Sequence, residues 1–223
     1  MSTISLTAAD GFQLSAYEAI PGSDAKGCVV VIQEVFGVNA HIREVCDGYA
    51  SEGYHVLAPA IFDRFEPGIE LGYEEADMMR GVGIARGELQ TENTLRDIQA
   101  AIDYLADKGK VGVVGYCFGG LMTWLAAVHA SGLACASSYY GGGLIQANDL
   151  EPKVPTMMHF GELDAHIPMD DVRAIDERHP GVSVYVYHAD HGFNCNHRAS
   201  YDEAAAQLAR ARTLEFFAIH LSR

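Results

Sequence analysis

Four short stretches of this 223-residue chain carry side chains that could perform covalent chemistry. The first is Val111-Gly112-Val113-Val114-Gly115-Tyr116-Cys117-Phe118-Gly119-Gly120-Leu121, where a β-branched run feeds a Gly-x-Cys-x-Gly-Gly turn and then a helix-compatible segment. Glycines two residues either side of Cys117 let backbones approach where a Cβ would block them, so the turn can present the thiol at its tip. A thiol of ordinary acidity, pKa about 8.5, is mostly protonated at neutral pH and needs a base or a cationic neighbour before it becomes a nucleophile. The other three stretches offer such groups: Gln33-Glu34-Val35-Phe36-Gly37, Gly161-Glu162-Leu163-Asp164-Ala165-His166, and His188-Ala189-Asp190-His191-Gly192-Phe193.

Each of these stretches leaves the end of a predicted strand. Residues 4–20 alternate weakly around Asp10-Gly11 and predict an N-terminal antiparallel pair. Gly27 to Ile32 is a continuous apolar run, the pattern of a strand buried on both faces. Asn39 can cap a helix carrying Ile42, Val45, Cys46 and Tyr49 at helical spacing, and Gly53 closes it. Further strands are predicted at 55–58, 111–114, 134–140, 156–160 and 182–187, and helices at 94–107, 121–128, 170–178 and 201–221. The last helix has Leu208, Ala211, Leu214, Phe217, Ala218 and Leu221 as its expected inner stripe. Residues 61–90 lack a clear period and are too long for a plain connection, so a partly helical excursion near the functional face is expected there. Strands alternating with helices predict an α/β fold with a mainly parallel sheet covered on both faces, in one domain spanning 1–223. In such sheets, functional groups gather at the carboxyl ends of strands. The chain order Cys117, Asp164, His191 matches the order of the α/β-hydrolase triad.

Composition excludes several functions. With 49% apolar and 20% charged residues, the chain is of ordinary globular make-up. No apolar run approaches the roughly 20 residues a membrane helix needs, and the N-terminal residues lack the pattern of a signal peptide, so the cytoplasm is the expected location. A net charge of −15 with four lysines argues against nucleic acid and anionic membrane as partners. The five cysteines form no CxxC pair and are read as reduced thiols, with Cys28, Cys46 and Cys135 as small core residues.

Together the segments around Cys117, Asp164, His191 and Glu34 resemble the dienelactone hydrolase family: Gly-Tyr-Cys-Phe-Gly-Gly, Gly-Glu-Leu-Asp-Ala-His-Ile-Pro, His-Gly-Phe and Gln-Glu-Val-Phe-Gly-Val. The likeness runs from about residue 4 to the C-terminal helix. It implies a small α/β-hydrolase fold whose nucleophile is cysteine rather than serine. By that resemblance Cys117 is the nucleophile, His191 the base and later acid, and Asp164 the carboxylate that orients the imidazole. The N–H groups of Phe118 and Val35 form the oxyanion hole, each worth about 3–4 kcal/mol at the transition state. Glu34 matches a carboxylate that takes part in substrate-dependent deprotonation of the thiol, which would spare a resting thiol from oxidation.

Competing assignments exist for each role. Glu162 and Asp170 compete with Asp164, His188 competes with His191, and Glu34 could instead cap a neighbouring element. His188, His191, Cys195 and His197 could hold zinc if they converged, but no second ligand pair is spaced for a structural site, so neither metal nor cofactor is expected. The family's namesake substrate carries a carboxylate that arginines would grip bidentately. One family arginine stands four residues after the histidine; here that position is Cys195, with Arg198 three further on. Phe36, Arg80 and Arg86 are the expected substrate-binding residues. The expected activity is hydrolysis of a small ester or lactone through an acyl-thioenzyme, by a monomer or weak homodimer. A thioesterase or acyl transferase would use the same residues, and a non-catalytic ligand-binding member of the fold would keep only the pocket.

Overall fold

A computed structural model describes residues 2–222 and is built on an eight-stranded sheet. The strands are β1 (Ser2–Thr7), β2 (Gln13–Ala19), β3 (Cys28–Ile32), β4 (His55–Pro59), β5 (Val111–Tyr116), β6 (Leu133–Tyr139), β7 (Thr156–Gly161) and β8 (Ser183–Tyr187). Their spatial order is β1-β2-β4-β3-β5-β6-β7-β8. β1 and β2 form the antiparallel pair expected at Asp10-Gly11, and β2 meets β4 antiparallel; every later pairing is parallel. The six helices are α1 (Ala40–Ser51), α2 (Glu75–Gly83), α3 (Thr91–Leu105), α4 (Phe118–His129), α5 (Met169–Arg178) and α6 (Glu203–Leu221).

The fully apolar runs are the strands with helices on both faces. In β3, Val29 and Val31 join the core under α1 and α6, while Cys28, Val30 and Ile32 join the core under α3 and α4. That alternation follows from the two-residue period of a strand, and burial on both faces explains why no polar residue interrupts it. β8 is the edge strand, and its first four residues remain partly or fully exposed, as its alternating sequence suggests. Asn39 caps α1 by accepting a hydrogen bond from the Ile42 N–H at 3.2 Å, and Gly53 adopts φ 96° where the chain turns towards β4.

Two expectations change on contact with the structure. α6 buries only part of the predicted stripe: Phe217 and Leu221 are inside, but Leu208 is 47% exposed, and Ala211 and Ala218 also face water. Its inner face is Ala205, Ala209, Thr213, Phe217 and Leu221, at i, i+4 spacing. Small residues let the helix lie close to the sheet, where the Thr213 hydroxyl bonds the Tyr139 hydroxyl at 2.7 Å and His159 Nε2 at 3.1 Å. α4 begins three residues earlier than its sequence pattern, at Phe118, so Gly119 and Gly120 are helical.

The excursion between β4 and α3 is partly helical, with a 3₁₀ turn at Ile61–Arg64, α2, and a π turn at Ile84–Glu88. Polar anchors fix its start. Asp63 accepts from the N–H and hydroxyl of Ser15, while Arg64 makes a two-pronged pair with buried Asp97 of α3, both contacts at 2.7 Å. It encloses a small apolar cluster of Val35, Phe36, Phe62, Ile69, Leu71, Ile84 and Ala85, against which Cys117 and Phe118 pack. No helix among the described residues is long and apolar enough to cross a membrane.

Candidate active site

Cys117 links β5 to α4 with φ 56° and ψ −115°, a conformation that L residues adopt only under constraint. Its own N–H bonds the Tyr139 carbonyl at 3.0 Å, tying the turn to the end of β6. The flanking glycines are needed because the turn is wedged between strands. A Cβ on Gly119 would run into the Ile32 and Gln33 carbonyls, and one on Gly120 into Gly141, 2.8 Å from its Cα. Sequence patterning alone thus specifies a strained tip, and the packing around it explains why the tip holds.

The loops after β7 and β8 bring a carboxylate and an imidazole together. Asp164 Oδ2 lies 2.6 Å from His191 Nδ1, and Asp164 Oδ1 accepts the His166 N–H at 2.8 Å. The Asp164 side chain has no exposed surface, and that of His191 is 11% exposed. The other carboxylates lie apart from this pair: Glu162 bonds exposed His188 at 2.8 Å, and Asp170 pairs with Arg173. His191 is flanked by the rings of Tyr140 and His166 at 5.2 and 5.4 Å. Burial by itself would push the imidazole down. Its hydrogen bonds to Asp164 and Cys117, with their negative charges, outweigh that and hold it up at about 10.

Glu34 follows β3 and is fully buried. One carboxylate oxygen meets Arg198 Nη1 at 3.4 Å; the other has no hydrogen-bond partner among the described residues. Arg198, with its side chain 14% exposed, also lies 5.7 Å from the centre of the Phe36 ring and acts electrostatically on Tyr140, Cys117 and Cys195. Phe36 is buried and packs edge-on against Tyr73 at 4.6 Å. Val35 is the turn residue after Glu34, while Phe118 opens α4, where a helix leaves its first amides unbonded.

Arg80 and Arg86 are not brought into this group. Arg80 makes a surface pair with Glu66 at 3.0 Å, and Arg86 is exposed; neither has a hydrogen bond or ion pair with Cys117, His191 or Glu34 among the described residues. The arginine that reaches the site is Arg198, which a count of four residues from His191 does not find. Tyr140 was also invisible to sequence reasoning. Its backbone has φ 36°, and its buried hydroxyl has no hydrogen-bond partner among the described residues. The four residues His188, His191, Cys195 and His197 do not converge: His188 turns to Glu162, His191 to Asp164 and His197 to Glu44, leaving Cys195 buried apart from them beside Glu34.

Residues 14–221 match the model of the dienelactone hydrolase family. The chain belongs to that family. Membership of the dienelactone hydrolase family makes it an ester or lactone hydrolase. It is 32% identical to carboxymethylenebutenolidase 1 of Cupriavidus pinatubonensis, with 97% of this chain and 96% of that one aligned. A carboxymethylenebutenolidase from a Pseudomonas species is also 32% identical, over 95% of this chain and 92% of its own. Among solved structures, a dienelactone hydrolase-like promiscuous phosphotriesterase from metagenomic libraries superposes with a TM-score of 0.78 at 20% identity, covering 99% of both chains, a likeness of fold.

Proposed function

We propose that this dienelactone hydrolase family member cleaves a small ester or lactone through an acyl-thioenzyme, with Cys117 as nucleophile and His191 and Asp164 completing a triad. The observation that carries this reading is the buried Asp164–His191 contact of 2.6 Å, hydrogen-bonded in turn to a thiol held at a positive-φ turn. An imidazole held up at about 10 remains an imidazolium at neutral pH, a proton donor beside the sulfur. Glu34, gripped at one oxygen by Arg198, takes part in removing the thiol proton when substrate is bound. Cys117 then attacks the carbonyl carbon, and the N–H groups of Phe118 and Val35 donate hydrogen bonds to the developing oxyanion. Collapse of the tetrahedral adduct breaks the C–O bond, and the His191 imidazolium gives its proton to the departing alkoxide. The neutral imidazole next takes a proton from water, the resulting hydroxide attacks the thioester, and the thiolate leaves with His191 protonated again. In this reading Arg198, with its side chain 14% exposed beside Glu34, receives a substrate carboxylate.

The test is acyl-enzyme trapping by intact mass with p-nitrophenyl acetate and a panel of lactones. The wild type is expected to gain the acyl mass, and Cys117→Ala to show neither adduct nor turnover. Full esterase activity in Cys117→Ala would overturn the assignment of the nucleophile.

A further inference from the structure

A second cluster shares Glu34 with the proposed catalytic group and adds two side chains that the hydrolytic chemistry does not use, His41 and Cys195. Glu34, His41 in the first turn of α1, and Cys195 in the loop after β8 are 0%, 2% and 0% exposed. One ligating atom from each lies within 4.8 Å of the other two. Two of these side chains have polar atoms with no hydrogen-bond partner among the described residues: Glu34 Oε2 and His41 Nε2. The other nitrogen of His41 is fixed by Asn196 Oδ1 at 3.1 Å, which sets the ring orientation as an outer partner does for a metal-ligating histidine. Leaving two such polar atoms bare in a protein interior costs on the order of 1–3 kcal/mol each, so their convergence on a thiol calls for a function.

We infer that Glu34, His41 and Cys195 form a binding site for a divalent transition metal of the zinc class, and that occupancy withdraws Glu34 from the thiol of Cys117. The second clause rests on the role of Glu34 proposed above. Carboxylate, imidazole and thiolate together suit zinc, and three protein ligands leave one position for water. Zinc bonds of about 2.0–2.3 Å put tetrahedral donors about 3.3–3.8 Å apart, so donors within 4.8 Å need only modest side-chain rotation. Charge balances as well: one carboxylate and one thiolate neutralise the ion, while Arg198 stays on the other oxygen of Glu34. Binding displaces the Cys195 thiol proton to solvent.

A cleft touches the cluster at His41. His41 and Glu44 line this cleft of about 250 Å³, which also includes Asn196 and Tyr201. His41, Glu44 and half-exposed His197 form a second trio of ligating groups within 4.8 Å of one another, so His41 is shared between an outer and an inner set.

The experiment is calorimetric titration of the metal-free protein with zinc chloride in buffers of differing ionisation enthalpy. One equivalent is expected to bind with proton release, to raise Tm, and to do so equally in Cys117→Ala. Cys195→Ser and His41→Asn, checked for native circular dichroism, are expected to lose it. Absence of binding to the wild type would overturn the site, as would binding that survives in both of those variants but is lost in Cys117→Ala, which would place the ion on the nucleophile. Zinc is further expected to slow ester hydrolysis by the wild type, reversibly with EDTA, and not by Cys195→Ser. Binding without inhibition would sever the link to Glu34 while leaving the metal site standing.

Discussion

Two of the imidazoles that lie almost out of reach of water, His191 and His159, are held in opposite charge states. His191, at the carboxyl ends of the strands, is raised to about 10, whereas His159, within β7, is lowered to about 3. Burial pushes both down. The difference lies in what each ring touches. His191 meets the buried carboxylate of Asp164 and the thiol of Cys117. His159 bonds the Tyr187 hydroxyl at 2.8 Å and the Thr213 hydroxyl at 3.1 Å, packs at a tilt 4.3 Å from the Tyr139 ring, and feels the positive charge of Arg212. Neutral partners satisfy the hydrogen-bonding needs of a ring without stabilising its charge; an anionic partner does both. One sheet thus holds a neutral histidine and a charged one, and the Asp164 carboxylate is the chief difference between their surroundings.

Removing that carboxylate gives the largest expected effect. Asp164→Asn preserves shape but leaves His191 with a neutral partner, much like His159. Its kcat is expected to fall on the order of 10⁴-fold, the size of loss when a triad carboxylate becomes an amide. The alkaline limb of the wild-type kcat/KM profile is expected near pH 10, where the imidazolium is lost, and in Asp164→Asn it is expected to move to lower pH. A limb that stays near pH 10 in the variant would remove Asp164 as the source of the raised value.

Stability carries the same contrast on a smaller scale, with opposite signs. His191 has a folded value of about 10 against an unfolded value of about 6.5, so its contribution is fully present below pH 6.5 and is lost as pH rises through 10. His159 has a folded value of about 3, so the native state binds fewer protons than the unfolded chain below pH 6.5, and stability is lost as pH falls towards 3. Each arm amounts to a few kcal/mol by linkage. Urea unfolding between pH 4 and pH 10 is expected to show a maximum near neutrality; Asp164→Asn flattens the alkaline arm and His159→Gln the acid arm. If His159→Gln left the acid arm as steep as before, the acid-side loss would belong to other groups.

Much of the fold was legible because β3 and β5 are apolar without interruption and because only glycines can stand where the turn at Cys117 is squeezed between strands. The first half of the α6 face was not, since its buried residues there are alanines and Thr213, which hydropathy hardly distinguishes from surface, whereas Leu208 lies exposed. The excursion at 61–90 has no period to read because ion pairs and side-chain-to-backbone bonds from Asp63 and Arg64 set its course. In the site, strand ends narrowed the carboxylate and the imidazole to a few candidates, because a parallel sheet delivers those ends to one place, and the family resemblance chose Asp164 and His191 among them. Arg198 and the convergence of Glu34, His41 and Cys195 could not, because they depend on how the loop after β8 folds back over α1, and no periodicity encodes that path.

The comparison of partners extends from histidines to arginines, where the smallest effect is expected. Arg80 and Glu66 pair in water, with side chains 49% and 58% exposed, whereas Arg198 meets a Glu34 with no exposed surface. An exposed pair is worth about 0.2–1 kcal/mol and is screened by salt. Arg80→Ala is therefore expected to change unfolding stability by about 0.5 kcal/mol or less, and to leave kcat/KM for an anionic lactone unchanged. Arg198→Ala strands the Glu34 carboxylate in the interior and is expected to lower kcat/KM for an anionic lactone more than for a neutral one. The same two variants assayed on a matched pair of lactones separate the possibilities. A selective loss for the anionic substrate in Arg80→Ala, with none in Arg198→Ala, would move carboxylate recognition from the buried loop after β8 to the surface of α2.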